Sequence, residues 1–265
     1  MANVRDDLNL LYKKLGRIDF IINILFYSNL SLSILYVILN NVFSNSVQGG
    51  YFYIISCLQF ITAVLCFLLS VYSDYNVLYV AECERRKLAI QNGFSIQLSQ
   101  YDTKGYYNNN FNPSIIKYST NIFESVFFTR NICEKMDNRM LFKTLSCIVL
   151  ILILYFLRDR WGLHLVVAQA IFSTTIAMSI WAFWLYKIRI CAVFDKFYEN
   201  FITIGINDDK QLNMLLYLSC EYEAIKAHYK VRLSTSIYNK YNAILTEEWD
   251  KMLSNISVND RFVTK

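Results

Sequence analysis

Four stretches of this chain are too apolar and too poor in charge for an ordinary surface helix. Ile18 to Phe43 holds a single charge, Asp19, at its edge; Tyr51 to Tyr72, Thr144 to Leu157 and Trp161 to Tyr186 hold no Asp, Glu, Lys or Arg. A helix needs about 20 predominantly apolar residues to cross a bilayer at 1.5 Å rise per residue. Three of the stretches meet that length, and the third in order meets it if Lys143 snorkels and the span starts near Leu141. With only 7 Gly and 1 Pro in 265 residues, little interrupts a helix. The expectation is an all-α polytopic membrane protein with four transmembrane helices in two hairpins. The first run is too long, and lacks the small-residue site, for a cleaved signal peptide.

Lys and Arg in short flanks orient such spans. Arg5, Lys13, Lys14 and Arg17 precede the first; Arg85, Arg86 and Lys87 follow the second; Lys187 and Arg189 follow the fourth. This places both termini and the middle segment of a multi-pass membrane protein in the cytoplasm. The turn Arg158 to Arg160 is the exception to the rule. The expected layout is a cytoplasmic tail 1–17, a first hairpin 18–72, a helical middle segment 73–140, a second hairpin 141–186 and a helical C-terminal segment 187–265. The seven cysteines show no metal-ligand spacing such as C-x-x-C. The net charge of +5 suits the inner face of a membrane and gives no reason to expect direct nucleic-acid binding.

The second helix is expected to run past the bilayer to Gly93, where "LSQYDTKGYYNNNFNPS" concentrates turn residues, including the only proline, Pro113. The chain must reverse there to return to the third span. Beyond it, Ile116, Phe123, Phe127 and Phe128 recur at helical spacing among polar residues, an amphipathic helix lying along the membrane or against its neighbours. In the C-terminal segment, Asn207 is the expected N-cap of a helix striped by Leu212, Leu215, Tyr222 and Ile225, and a second helix is expected to start near Thr246.

Little here suggests catalysis, and a polytopic enzyme is a distant third reading. His164 and His228 lack convergent partners for a metal, no nucleotide-binding or hydrolase motif occurs, and no cofactor is expected. The polar side chains within the apolar runs are more informative, since intramembrane polar groups face the bundle or water. Gln169 and Ser173 lie one turn apart, with Thr174 at their margin, and Asn29 lies in the first run. These are candidate pore-lining residues; ordinary helix–helix hydrogen bonding is the alternative. Uncharged polar faces with few partners in one subunit also suggest a homo-oligomer. On the cytoplasmic side, Arg85, Arg86, Lys87, Lys104 and Arg130 with Tyr106 and Tyr107 offer phosphate-binding cations and stacking rings, candidates for holding a cyclic nucleotide. The same "RRK" is what a membrane exit asks for in any case.

"RRKLAIQNGF", "GYYNN" and "NIFESVFFTRNICEKM", placed between two membrane hairpins, resemble the SMODS-associated four-transmembrane pore-forming effectors of bacterial antiphage loci, and next to them the SLATT effectors. The likeness is mainly one of layout and covers nearly the whole chain. It departs near the C-terminus, where "SIYNKYNAILTEEW" carries only Lys240 in place of an arginine-containing basic tract. The resemblance implies a bacterial inner-membrane effector that oligomerises and breaches the membrane when a cyclic-nucleotide signal or a cytosolic sensor protein activates it. A non-conducting scaffold or regulatory subunit binding a cytosolic partner is the other reading of the same layout.

Overall fold

The computed structural model describes residues 5–42, 50–100, 107, 109, 111–157, 163–206 and 208–256. Among them the regular elements are helices: α1 (Arg5–Val42), α2 (Gly50–Tyr72), α3 (Leu78–Phe94), α4 (Ile115–Leu157), α5 (Leu163–Tyr198), α6 (Asp209–Tyr229) and α7 (Thr235–Leu253). Single π-helical turns, Ser73–Val77 and Glu199–Ile204, follow α2 and α5. Two of the helical stretches, Leu10–Tyr36 and Gly50–Phe94, are long and apolar enough to cross a membrane. The chain divides into two compact units, one of Met1–Leu10, Val80–Leu141 and Trp181–Lys265, the other of Leu11–Tyr79 and Phe142–Ile180.

In the second unit α1 and α2 run antiparallel. Tyr36 meets Phe52 edge-to-face at 5.4 Å, and at the opposite end Lys14 Nζ donates to Tyr72 Oη at 3.3 Å. Few large side chains are buried between them; Tyr36 and Ile55 are among those that are. Most of α2's apolar surface faces outward.

The first unit is built around the first half of α4. All seven residues from Tyr118 to Glu124 are buried, so this part of the helix is enclosed around its whole circumference. It packs against its neighbours; it does not lie along a surface. Phe123 stacks on Phe197 at 5.3 Å and on Phe201 at 5.4 Å, and meets the edge of Trp249 at 5.3 Å. All four rings are fully buried. Each such pair adds about 0.5–1.5 kcal/mol beyond burial itself. Phe201 reaches this cluster from the π turn after α5, which closes on Gly205 at φ 75°, ψ 165°, a conformation open in practice only to glycine.

The chain reverses between α3 and α4 through contacts of the described residues that flank the Asn-rich stretch; Asp102, Gly105, Asn108 and Asn110 lie outside the described residues. The α3 helix passes Gly93 and stops at Phe94, Ser95 takes a positive φ of 53°, and Gln91 Oε1 accepts from the amides of Leu98 and Ser99. The chain then returns so that Ser114 N donates to Gly93 O at 2.9 Å. Asn109 donates to Asn121 at 2.5 Å, and Asn121 donates to Asn92 at 2.9 Å, tying loop, α4 and α3 together.

Three expectations are revised. The middle helix is continuous with the third apolar run as one 43-residue helix, because no breaker separates them. The last helix begins at Thr235, not near Thr246, because Ser234 caps it by accepting from Ile237 N. The α6 cap is Asp208, whose carboxylate accepts from Gln211 N while Gln211 Oε1 accepts from Asp208 N, a complete capping box; Asn207 lies outside the described residues.

Gly93 gives the sharpest packing test. A Cβ there would lie 2.6 Å from Tyr118 Cβ and 2.8 Å from its Cα, so α3 and α4 would have to separate. Gly93→Ala is expected to lower the unfolding free energy by about 1–3 kcal/mol, measured by denaturant titration in detergent micelles. Gly16→Ala, where a Cβ meets open space, is the control and should be neutral or mildly stabilising.

Candidate functional site

Arg85 lies in the first unit, one turn into α3's polar segment, and is almost fully buried (4% exposed). A buried guanidinium is costly unless it is paired and hydrogen-bonded. Its Nε donates to Glu82 Oε2 at 2.8 Å, and one terminal nitrogen donates to both oxygens of Glu223 on α6, at 2.7 and 2.5 Å. Arg86 Nε donates to the same carboxylate at 2.7 Å. Lys226, one turn along α6, pairs with Glu82 at 2.9 Å. Below the cluster, the ring of Tyr222 lies 5.8 Å from both the Arg85 guanidinium and the Lys226 ammonium. The Tyr222 hydroxyl shares a hydrogen bond with Thr129 on α4 at 3.1 Å.

Three cations therefore share two carboxylates, and the charge set binds α3 to α6. Burial pushes the Glu82 carboxyl up, but Lys226 and Arg85 outweigh it and hold the group well below its ordinary 4.5. Burial likewise opposes ionisation of Glu223, and Arg85 reverses it downward. Lys226 is lowered by burial and by the neighbouring Arg85, with Glu82 and Glu223 pulling the other way. Arg85 is raised: burial disfavours its charge, and the two carboxylates more than compensate.

Of the residues singled out for signal binding, the structure brings Arg85 and Arg86 together. Lys87 is on the same helix but pairs with Glu84 at 2.6 Å. Arg130 is engaged between α4 and α5, its guanidinium 4.3 Å from the centre of the Phe194 ring and its Nε 3.1 Å from Glu134. Tyr107 is buried. Lys104 and Tyr106 lie outside the described residues. Sequence reasoning missed Glu82, Glu223 and Lys226. The i,i+3 spacings Glu82–Arg85 and Glu223–Lys226 were visible, but their convergence across 138 residues of chain was not.

Of the candidate pore residues, Gln169, Ser173 and Thr174 fall within α5, but their side chains lie outside the described residues. Asn29 is buried, and its Nδ2 donates to Gln59 O and to Thr62 Oγ1, both at 2.9 Å. Gln59 Nε2 in turn donates to Ser33 Oγ at 3.0 Å. In this arrangement the amide links α1 to α2. Among the described residues, no three His, Cys, Asp or Glu side chains converge on a metal-sized site.

Comparison of the chain with family models, with curated proteins and with solved structures finds no match.

The ion cluster generates a stability prediction. Glu223→Gln leaves the Arg85 charge buried with one carboxylate, and should cost about 3–5 kcal/mol, read by denaturant titration at pH 7. Because Glu82 and Glu223 titrate lower in the folded than in the unfolded protein, their stabilisation is complete above about pH 4.5 and is lost as the pH falls below it. The wild type should therefore lose stability steeply on that acid limb, and Glu223→Gln should flatten it.

Proposed function

We propose that the chain is a four-span inner-membrane protein whose two helical hairpins carry a cytoplasmic helical unit, and that it acts as an oligomeric effector of antiphage defence that permeabilises the membrane on a cytoplasmic signal. The observation that carries the membrane part is α2. Leu58, Phe60, Ile61, Leu65, Phe67 and Leu68 are each 45–55% exposed. Water-soluble proteins rarely leave so large a contiguous apolar face uncovered. Tyr51 and Tyr53 stand exposed at one end of this face and Tyr72 at the other. Tyr53 and Tyr72 are separated by about 29 Å at 1.5 Å per residue. That matches the roughly 30 Å hydrocarbon core and the interfacial preference of tyrosine. Leu145, Ile148 and Val149 on α4, each about half exposed, support the same reading for the third span.

The effector part rests on the resemblance of the segments around Arg85 to Lys87 and Asn121 to Met136. In this reading the spans associate between subunits, and Gln169, Ser173 and Thr174 on α5 are the candidates for lining the water path, with Asn29 on α1 joining them only if its bonds to α2 exchange. A cyclic nucleotide or a sensor protein acts at the cytoplasmic cations. A phosphate arriving at Arg85 and Arg86 has to compete with Glu223 for the same donors, so signal binding and release of α6 from α3 are linked.

One observation favours the alternative of a non-conducting scaffold or regulatory subunit. Asn29, Gln59 and Ser33 hydrogen-bond one another within a single chain. They line nothing unless those bonds exchange.

Expression with a membrane-potential dye separates the two readings. The effector reading expects depolarisation once the cognate partner is active, and its loss when Gln169 and Ser173 are both replaced by leucine. A wild-type protein that never depolarises the membrane would transfer the assignment to the scaffold.

A further inference from the structure

In the first unit α4 and α5 lie antiparallel, and three contacts fix their register. Lys187 Nζ pairs with Asp137, the Arg130 guanidinium sits on the Phe194 ring, and Phe123 stacks on Phe201. From Asp137, one turn back along α4 reaches Cys133; from Lys187, one turn forward along α5 reaches Cys191. From the other side the result is the same. Three residues beyond Arg130 stands Cys133, and three before Phe194 stands Cys191. The two thiols therefore occupy facing positions at i,i+3 and i,i+4 from the flanking contacts. Both cysteines are unpaired as free thiols, Cys133 fully buried and Cys191 half-buried.

We propose that Cys133 and Cys191 form a dithiol–disulfide site that, on oxidation by a hydroperoxide, clamps the facing halves of α4 and α5 together. Cys191, the thiol that solvent reaches, meets the oxidant. Its sulfur attacks the peroxide oxygen, the O–O bond breaks, water leaves, and a sulfenic acid forms. The Cys133 sulfur attacks that sulfur, the S–S bond forms, and the hydroxyl leaves with the Cys133 proton as a second water. Two thiols and one hydrogen peroxide thus give one disulfide and two waters, the sulfurs being oxidised and the peroxide oxygens reduced. A thiol such as dithiothreitol reverses the step by exchange.

The surroundings set when this happens. Burial raises the Cys133 thiol to about 12, with the neighbouring Cys191 adding to it. Burial also raises Cys191, while Arg130 and Lys187 beside it pull the other way. Thiolate is scarce at neutral pH, so the pair stays reduced under ordinary cytoplasmic conditions and responds to sustained oxidant. The site is independent of whether the protein conducts.

The test uses the full chain in detergent micelles, treated with hydrogen peroxide until exposed Cys220 is oxidised. Peptide mass spectrometry without reductant should find the Cys133 and Cys191 peptides joined with loss of two hydrogen atoms. The thermal midpoint should rise by several degrees, and dithiothreitol should restore both. Cys191→Ser, a change at a half-buried position, should fold as the wild type does, form no link and show no rise. Any of four results overturns the proposal: both thiols still free when Cys220 is fully oxidised; Cys191 carried to sulfinic acid with Cys133 free; Cys191 joined to a different cysteine; or a joined pair with an unchanged midpoint.

Discussion

The constraint on which the rest depends is the apolar surface that α1 and α2 leave uncovered. A helix satisfies its own backbone hydrogen bonds, so it can enter hydrocarbon without exposing an unpaired amide. What it presents there must be apolar, and α2 presents Leu58, Phe60, Ile61, Leu65, Phe67 and Leu68 outward. Lipid tails would give no hydrophobic drive between helices, so packing and interhelical hydrogen bonds would have to align them there. Asn29, Gln59, Thr62 and Ser33 supply such bonds. Their bonds hold the α1–α2 register at mid-length, while the Tyr36–Phe52 and Lys14–Tyr72 contacts fix its two ends.

The first unit obeys the opposite rule. Many of its apolar side chains pack around Phe123, and several buried polar ones pair inward, Ser119 with Ser219, Asn121 with Asn92 and Asn109, Thr129 with Tyr222. The ion cluster around Arg85 adds geometric selectivity more than net stability, because desolvating five charges offsets much of their attraction. Breaking it by halves is costly, which makes α3 and α6 hold or part as one event.

The helical class and the apolar runs were legible because composition and charge report directly on solvent. The reversal between α3 and α4 was legible because asparagine, glycine and proline cluster in the segment that joins them. The burial of α4 was not. Ile116, Phe123, Phe127 and Phe128 read as one apolar stripe among polar residues, and only partners far off in sequence, Asn92 on α3, Ser219 on α6 and Asn109 in the loop, turn Ser119 and Asn121 inward as well. Arg85 and Arg86 read as a membrane flank for the same reason, since Glu223 stands 138 residues away. The start of α7 was missed because Ser234–Thr235–Ser236 resembles loop composition, although Ser234 is the cap and also accepts from Arg139. Gly93 read as a stop signal, and α3 does end one residue later, at Phe94; the close approach of Tyr118 that it also permits was not legible.

The central claim is that the outward face of α2 lies in lipid. Nitroxide labels placed one at a time at Leu58, Leu65 and Leu68 in the protein reconstituted in liposomes, with a label at Tyr217 on the exposed face of α6 for comparison, test it most directly. Relaxation by dissolved oxygen, which partitions into hydrocarbon, is compared with relaxation by a water-soluble nickel chelate. The account predicts high oxygen and negligible nickel accessibility at the three leucine positions, and the reverse at Tyr217. Nickel accessibility at Leu58, Leu65 and Leu68 equal to that at Tyr217 would contradict it.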